Sequence, residues 1–177
     1  MLLALESGDV IHDFWAYRLG RKLDVIPGQH NCLWIQADRL GVYQGACAEF
    51  CKEQHAWMRF VVVAQTPAEY QDWLERAALP AAAPATDTQA GVQLSARLGC
   101  PVCHAVSQPS ASDKVGADLT HFGSRRLIAG GVLSNTPEHL TRWLNTPDRV
   151  KPGTRMPHDP LSAAEVASLT RYLEALK

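Results

Sequence analysis

The spacing of hydrophobic residues changes about half-way along the chain. In the first half, short runs of β-branched and aromatic residues alternate with turn signals such as Pro27-Gly28. Runs of this length and composition are typical of partly buried strands. The pattern predicts strands at residues 9–15, 32–36 and 59–63.

Three helices are predicted from capping signals and helical spacing. Thr66 and Glu69 have the spacing of a capping box, and the helix that follows would carry Tyr70, Trp73 and Leu74 on one face. A second, amphipathic helix is predicted at residues 137–144. The last follows a capping box of Ser162 and Glu165, and its apolar stripe consists of Val166, Leu169, Leu173 and Leu176.

Residues 80–90 separate the two patterns. This segment contains Pro, Ala and Thr but no large apolar residue, so it has little to bury. Proline-rich segments of this kind favour an extended, semi-stiff linker. The chain is therefore predicted to consist of a β domain at residues 1–79, the linker, and an α domain at residues 91–177.

Composition and charge exclude some functions. A formal net charge of −1 argues against a nucleic-acid-binding protein, which would carry a basic surface. No run approaches the roughly 18 apolar residues that span a membrane. The five cysteines form two close pairs, a spacing more typical of ligands or attachment points than of disulfides, and one singleton. The singleton, Cys32, is predicted to be a small buried hydrophobic residue.

The segment Cys100-Pro101-Val102-Cys103-His104 has the C-x-x-C-H spacing of covalent haem attachment. Two thiols would form thioethers with one porphyrin, and the adjacent histidine would be the proximal iron ligand. A methionine on the opposite side would complete the coordination. Met156, in a loop rich in Gly and Pro, is the predicted distal ligand, with His158 as a poorer substitute.

Two other functions use the same cysteine pair. A redox-active disulfide would sit in a βαβ context, which the pattern does not predict. A zinc site would need a second pair of ligands in this half, where the histidines are scattered singly. Haem attachment is therefore the favoured hypothesis.

Residues 47–58 contain four soft or borderline donors: Cys47, Cys51, His55 and Met58. Thiolate, imidazole and thioether together favour copper, because zinc seldom uses methionine. Two thiolates on one loop can each bridge two metal ions, and a second histidine would complete the other ion. His12 is the candidate. A Cys47–Cys51 disulfide and a mononuclear copper site, which would leave one cysteine idle, are the alternatives.

Residues 9–76 resemble the copper-A domain of cytochrome c oxidase subunit II, on segments 9–15, 22–28 and 47–58. Residues 91–177 resemble the cytochrome c domain that is fused to subunit II in caa3-type oxidases, on segments 116–125 and 151–157. The resemblance implies an all-β cupredoxin-like fold followed by an all-α class I cytochrome c. Family members carry strands and helices before the segment that matches His12, so the first domain is expected to be incomplete at its N-terminus.

The resemblance also implies a role for each ligand. The binuclear copper A would be bound by His12, Cys47, the carbonyl of Glu49, Cys51, His55 and Met58. Haem c would be held by Cys100, Cys103, His104 and Met156. The two bridging thiolates would be Cys47 and Cys51, and the Glu49 side chain would face a magnesium ion at the contact with the catalytic subunit.

The function implied is that of the subunit through which electrons enter a haem–copper terminal oxidase. Electrons would pass from an upstream cytochrome or quinol-oxidising complex to haem c, to copper A and then to subunit I, where oxygen is reduced. The location would be the outer, periplasmic face of a bacterial plasma membrane. Membrane association would come through the complex or through missing N-terminal helices, because no anchor is recognised in this chain. No catalytic residue is expected in it.

Three other functions stay open from the sequence. The first is a stand-alone haem c electron carrier whose copper domain is non-functional. The second is the copper-A domain of a nitrous-oxide-reducing enzyme, which the fused cytochrome and the lack of a large catalytic domain argue against. The third is a metal-free disulfide protein, which would carry no covalently attached haem.

Overall fold

The computed structural model describes residues 1–106, 115–157 and 160–177, and these divide into two compact units. One unit contains Met1–Asp72 with Gly130–Val132, and the other contains Trp73–Ala129 with Leu133–Lys177. The domain boundaries expected from the sequence stay predictions.

Within the described part of the first unit, six strands form two antiparallel sheets. They are β1 (Leu2–Leu5), β2 (His12–Ala16), β3 (Leu23–Val25), β4 (Asn31–Trp34), β5 (Gly41–Ala46) and β6 (Arg59–Ala64). The larger sheet has the order β3-β2-β5-β6, and β1 pairs with β4. The three predicted strands are present as β2, β4 and β6 with shifted ends. The pattern missed β1, β3 and β5, which are short or contain glycine and polar residues.

The β unit packs its core from alternate strand residues. Leu33 and Ala16 are almost fully buried, and Tyr43 packs in the same cluster. Because neighbouring strand residues point to opposite faces, burial of Leu33 sends Cys32 outward. The prediction that Cys32 is buried is therefore wrong: its thiol is free and exposed.

The helical elements begin at residue 67. They are α1 (Pro67–Ala77), α2 (Gln89–Arg97), α3 (Cys100–Cys103), α4 (Pro137–Asn145), α5 (Pro147–Val150) and α6 (Ala163–Ala175). A two-residue ladder between β7 (Leu127–Ile128) and β8 (Leu133–Ser134) means that this half is mainly, not entirely, helical. Among the described residues, none of these helices is both long and apolar enough to cross a membrane.

Both predicted capping boxes are confirmed. At α1, the Glu69 backbone N–H donates to Thr66 Oγ1 at 3.3 Å, and the Thr66 N–H donates to Glu69 Oε2 at 2.9 Å. The same reciprocal pair precedes α6 between Ser162 and Glu165. The predicted stripe of α6 is buried, whereas α1 buries none of its residues.

The helical core is built around the crossing of α2 and α6. A Cβ added at Gly91 of α2 would lie 2.4 Å from the Ser168 carbonyl oxygen and 2.5 Å from Tyr172 Cβ on α6. Only a glycine lets the two backbones approach this closely. Leu140 of α4 is fully buried against the same cluster.

The Pro/Ala-rich segment, predicted to be an extended linker, contains buried residues. Ala81 is buried in the helical core, and Thr88 is also buried at the end of a 3-10 turn, Thr86–Thr88. Helix α2 then begins at Gln89, inside the predicted linker. Small residues predict a segment with little to bury, but an alanine fits where the cluster leaves little space.

Candidate metal centre

The loop between β5 and β6 carries most of the predicted metal ligands. The ladder between these strands runs as far as Ala46 opposite Arg59, and the Cys47 N–H then donates to the Met58 carbonyl at 3.0 Å. Cys47 and Met58 are therefore fixed at the two ends of the loop. Inside it, Lys52 adopts a left-handed φ of 81° and its carbonyl accepts from the His55 N–H, which turns His55 back towards Cys51.

Four side chains meet through their sulfur and nitrogen atoms. The Sγ atoms of Cys47 and Cys51 are 3.7 Å apart, and His55 Nδ1 lies 3.7 Å from the Cys51 sulfur. Met58 Sδ lies 3.8 Å from the same sulfur. The Glu49 carbonyl oxygen is 3.2 Å from Cys47 Sγ.

The remaining ligand comes from the neighbouring strand. His12 is the first residue of β2, and its Nδ1 lies 3.8 Å from Cys47 Sγ. The ligand atoms of His12, Cys47 and Cys51 all lie within 4.8 Å of one another, as expected of a metal site. The structure thus brings together all six residues that the sequence analysis named for copper.

The spacing of these atoms fits a metal-bridging pair of thiolates. A disulfide bond is about 2.05 Å long, so sulfur atoms 3.7 Å apart are not bonded to each other. A metal–thiolate bond is about 2.3 Å, so one ion reaches both sulfurs when they lie within about 4.6 Å. The donor set of thiolates, imidazoles and a thioether suits copper better than zinc or magnesium.

The two thiols have opposite pKa shifts. Burial alone would raise the pKa of Cys47, but hydrogen bonds from the backbone at Asp13 and Glu49 and from His12 and His55 lower it to about 7. Burial and the neighbouring Cys47 sulfur raise the pKa of Cys51 to about 11. Two adjacent thiols do not both ionise readily unless a cation neutralises them. Cys47 is thus the sulfur that ionises first.

A buried carboxylate lies next to the thiols. Asp13 follows His12 in β2, is only 3% exposed, and its N–H donates to Cys47 Sγ at 3.4 Å. Neither carboxylate oxygen has a hydrogen-bond partner among the described residues. Burial, then the neighbouring Asp24 side chain, raises the pKa of Asp13. From the sequence Asp13 is predicted only as part of a strand, because alternation alone does not distinguish a buried carboxylate from an exposed one.

His12 also has a second partner that the sequence analysis missed. Its Nε2 lies 2.8 Å from Asp9 Oδ1, three residues earlier. This hydrogen bond is the main cause that lowers the pKa of Asp9. For His12, burial opposes protonation, but the bonds to Asp9 and Cys47 outweigh it and raise the pKa.

The predicted haem-binding cysteines lie on one helical turn. Cys100 and Cys103 are the first and last residues of α3, and positions three apart share a helix face. The turn is entered through Gly99, which has a φ of 73°. It is closed by the His104 N–H, which donates to the Cys100 carbonyl at 2.9 Å. Two thiols and an imidazole are thus presented within one short segment.

The His104 ring is oriented by the loop that follows the turn. Its Nδ1 lies 2.7 Å from the Ala117 carbonyl oxygen, which can only accept, so Nδ1 carries the hydrogen. Nε2 then keeps its lone pair, as an iron ligand requires. A Cβ at Gly116 would lie 2.6 Å from two atoms of the ring, so the absence of a side chain there makes room for it. These contacts fit a proximal haem ligand.

The other predicted ligand positions are less constrained. Met156 lies in the loop after α5 and is partly buried against the helical hydrophobic cluster. Its pairing with His104 across a haem stays a prediction. His158, the substitute ligand, lies outside the described residues. The Glu49 side chain is half-buried, and its contact with magnesium also stays a prediction.

Known proteins are similar to the chain both in its first part and over its whole length. Residues 1–65 match the family described as cytochrome c oxidase subunit II, periplasmic domain. The matched region contains every residue of the sulfur and imidazole cluster. It also supports a β-rich, cupredoxin-like fold for the first unit.

Curated subunit II proteins are similar over the whole chain. The cytochrome c oxidase subunit 2 of Alkalihalophilus pseudofirmus is 38% identical over 180 residues, which is 100% of this chain and 52% of that protein. The subunit 2 of Bacillus sp. strain PS3 is 32% identical over 98% of this chain and 52% of its own length. The chain spans about half the length of the curated relatives it matches.

A solved structure is similar to part of the chain. It is the periplasmic domain of subunit II of cytochrome oxidase of Bradyrhizobium japonicum, at 33% identity. The match covers 42% of this chain and 54% of that one, with a TM-score of 0.41.

Proposed function

We propose that this chain is the part of an oxidase subunit II through which electrons enter a haem–copper terminal oxidase. It would accept electrons in its helical half and pass them through its β half to a catalytic subunit that reduces oxygen. The chemistry of the chain itself would be electron transfer, and the oxygen-reducing site would lie in that other subunit.

The observation that carries the proposal is the continuous run of donor atoms in the β unit. His12, Cys47, Cys51 and His55 follow one another with successive separations of 3.8, 3.7 and 3.7 Å. When bound, a pair of bridged copper ions would supply a one-electron redox centre there. Ligands fixed at a loop base and a strand end change little in geometry, which favours fast electron transfer over catalysis.

Met58 and the Glu49 carbonyl would be the weaker ligands of the copper ions. The former lies 3.8 Å from Cys51 Sγ and the latter 3.2 Å from Cys47 Sγ, so each lies beside one of the two thiols. The Glu49 side chain offers the carboxylate oxygen that Mg²⁺ prefers. We propose that it faces magnesium at the contact with the catalytic subunit.

The second electron centre would be haem c on the helical half. When bound, it would supply the site that accepts electrons from an upstream cytochrome or quinol-oxidising complex. Cys100 and Cys103 would attach it, and His104, with its Nδ1 hydrogen held by Ala117, would present Nε2 to the iron. Met156 would complete the coordination, as in the caa3-type proteins that residues 91–177 resemble.

The proposed partner is the catalytic subunit I of the oxidase. The proposed location is the periplasmic side of a bacterial plasma membrane. Both follow from the similarity to subunit II proteins and from the match of residues 1–65 to a periplasmic domain.

The proposal is tested by expressing the full chain with haem-maturation machinery and loading it with copper. Visible absorption, EPR and the mass of the denatured chain are then recorded. We expect a c-type haem spectrum, a covalent mass increase of one haem, and a mixed-valence signal from two equivalent coppers. Haem without the copper signal would instead indicate a stand-alone carrier. A chain that carries neither haem nor copper would overturn the proposal.

A further inference from the structure

We propose that Asp9 is a positioning residue for the copper centre, acting through His12. This inference rests on the proposed function, because it concerns how one copper ligand is held. Asp9 is hydrogen-bonded to His12, so its effect on the orientation of a ligand would be transmitted through that imidazole.

The geometry assigns the two ring nitrogens of His12 to different partners. Nε2 lies 2.8 Å from Asp9 Oδ1, and Nδ1 faces the Cys47 sulfur at 3.8 Å. A carboxylate accepts only, so Nε2 must carry the hydrogen. Nδ1 then keeps its lone pair and points it towards the thiolates, where the metal would lie. Carboxylates that accept from a ligating histidine fix both its tautomer and its ring plane.

Asp9 is itself held in place. The Ser7 hydroxyl lies 3.3 Å from Asp9 Oδ1, and the Asp9 N–H donates back to Ser7 Oγ at 3.4 Å. The same Ser7 hydroxyl is 2.5 Å from the Val10 carbonyl, which closes the turn before β2. A carboxylate held by its own turn restrains the orientation of an imidazole more strongly than a carboxylate on a freely rotating side chain does.

The two histidines predicted to bind copper, His12 and His55, are held by different contacts. The ring of His55 makes an edge contact with the ring of Phe50, with centroids 5.8 Å apart, and Phe50 is 75% exposed. His12 instead has a charged partner, and its own side chain is only 18% exposed. An anionic partner increases electron donation by the imidazole and favours the more positively charged, oxidised state of the metal. The charge of Asp9 is therefore expected to lower the midpoint potential of the centre.

Two substitutions separate the hydrogen bond from the charge. Asp9→Asn removes the charge but keeps an oxygen that can accept from Nε2, whereas Asp9→Ala removes both. Glu6→Gln is the matched control. Glu6 forms a similar exposed pair with His30 at 2.7 Å, and His30 is not a predicted ligand. The control removes the same formal charge from the same unit without touching the centre.

Three measurements are made on the full chain. The first is the tautomer of His12 in the metal-free protein, from long-range ¹H–¹⁵N correlation spectra. The second is copper affinity in competition with a chelator, and the third is the midpoint potential with the EPR signal of the loaded protein. We expect wild type, Asp9→Asn and Glu6→Gln to hold the Nε2–H tautomer, and Asp9→Ala to show a mixture.

In the loaded protein, Asp9→Ala should weaken copper affinity by about 10- to 100-fold. Asp9→Asn should keep the affinity and the EPR pattern but raise the midpoint potential, and Glu6→Gln should match wild type. An unchanged tautomer and affinity in Asp9→Ala, or an equal potential shift in Glu6→Gln, would overturn the inference. Wild type that binds no copper would overturn the proposed function instead, and the tautomer measurement would still decide the role of Asp9.

Discussion

Cys47 and Cys51 lie side by side with their Sγ atoms 3.7 Å apart, and neither forms a disulfide in the described structure. Their separation follows from the loop, because Cys47 is fixed to Met58 at its base and the left-handed residue Lys52 turns the chain immediately after Cys51. The backbone of the loop thus holds the two thiols close enough for one metal ion to contact both sulfurs.

Cys51→Ser should abolish the binuclear signal of the copper-loaded protein. A hydroxyl is a poor copper ligand, and the remaining Cys47 thiolate cannot form the second bridge. We expect copper content to fall by about half or more, measured by elemental analysis together with EPR. Cys32→Ser is the control, since Cys32 is exposed and outside the ligand group. Equal losses of copper in Cys51→Ser and Cys32→Ser would contradict the assignment of Cys51 as a copper ligand.

Asp13→Asn should stabilise the metal-free chain at neutral pH. Asp13 is almost fully buried without a hydrogen-bond partner among the described residues, and the amide removes the buried charge while keeping the shape. We expect the free energy of unfolding to rise by about 1 kcal/mol or more, measured by urea unfolding. The raised pKa of Asp13 means that its carboxyl group binds a proton more tightly in the folded state. The difference in free energy of unfolding between Asp13→Asn and wild type should therefore decrease as the pH falls.

The exposed Asp38 provides the control for that measurement. Asp38→Asn removes the same charge at the surface and should change the free energy of unfolding by no more than about 0.5 kcal/mol. A lower stability of Asp13→Asn than of wild type would show that the carboxylate has a stabilising partner.

Gly116→Ala should impair the predicted haem site. The new methyl group would lie 2.6 Å from the His104 ring and 2.9 Å from the Cys103 carbonyl, so the ring must move away from Ala117. We expect a smaller haem-bearing fraction and an altered Soret band, measured by absorption per chain. Gly8→Ala is the control, because a Cβ there meets nothing within 4 Å. A normal spectrum in Gly116→Ala would argue against His104 as the proximal ligand.

Gly91→Ala should destabilise the helical unit even though alanine is the better helix former. Propensity would stabilise α2 by about 1 kcal/mol. The added Cβ, however, would lie 2.4 Å from the backbone oxygen of Ser168, which cannot rotate away, and such overpacking costs about 1–3 kcal/mol. We expect a lower Tm by circular dichroism, whereas Gln93→Ala on the exposed face of α2 should not lower it. A higher Tm for Gly91→Ala would mean that α2 and α6 cross less closely.

Glu165→Gln should remove a pH-dependent part of the stability of α6. Hydrogen bonds from the Ser162 backbone and side chain, and then Arg97, lower the pKa of Glu165 from its ordinary value of 4.5. A lowered pKa means that the stabilisation is fully present above pH 4.5 and disappears as the pH falls through the folded value. The Tm difference between wild type and variant should therefore narrow in acid. A Tm difference that did not change with pH would exclude the Glu165 carboxylate as the source of the stabilisation.

Features that depend on neighbouring residues were predictable from the amino-acid sequence alone. Both capping boxes, at Thr66 and at Ser162, were recognised because the two partners lie three residues apart on one helical turn. The apolar stripe of α6 was equally predictable, because helical periodicity relates the spacing of residues to their burial. The donors at residues 47–58 were found for the same reason: they lie on one loop.

Features that depend on segments distant in sequence became apparent in the folded chain. Cys32 was predicted to be buried and is exposed, and Ala81, within the predicted linker, is buried, because packing against residues far along the chain fixes each outcome. The approach of His12 to Cys47, 35 residues later, is of the same kind. Local pattern supplies the donor types, but strand pairing and backbone crossings decide which atoms meet, because those contacts join residues that sequence spacing cannot relate.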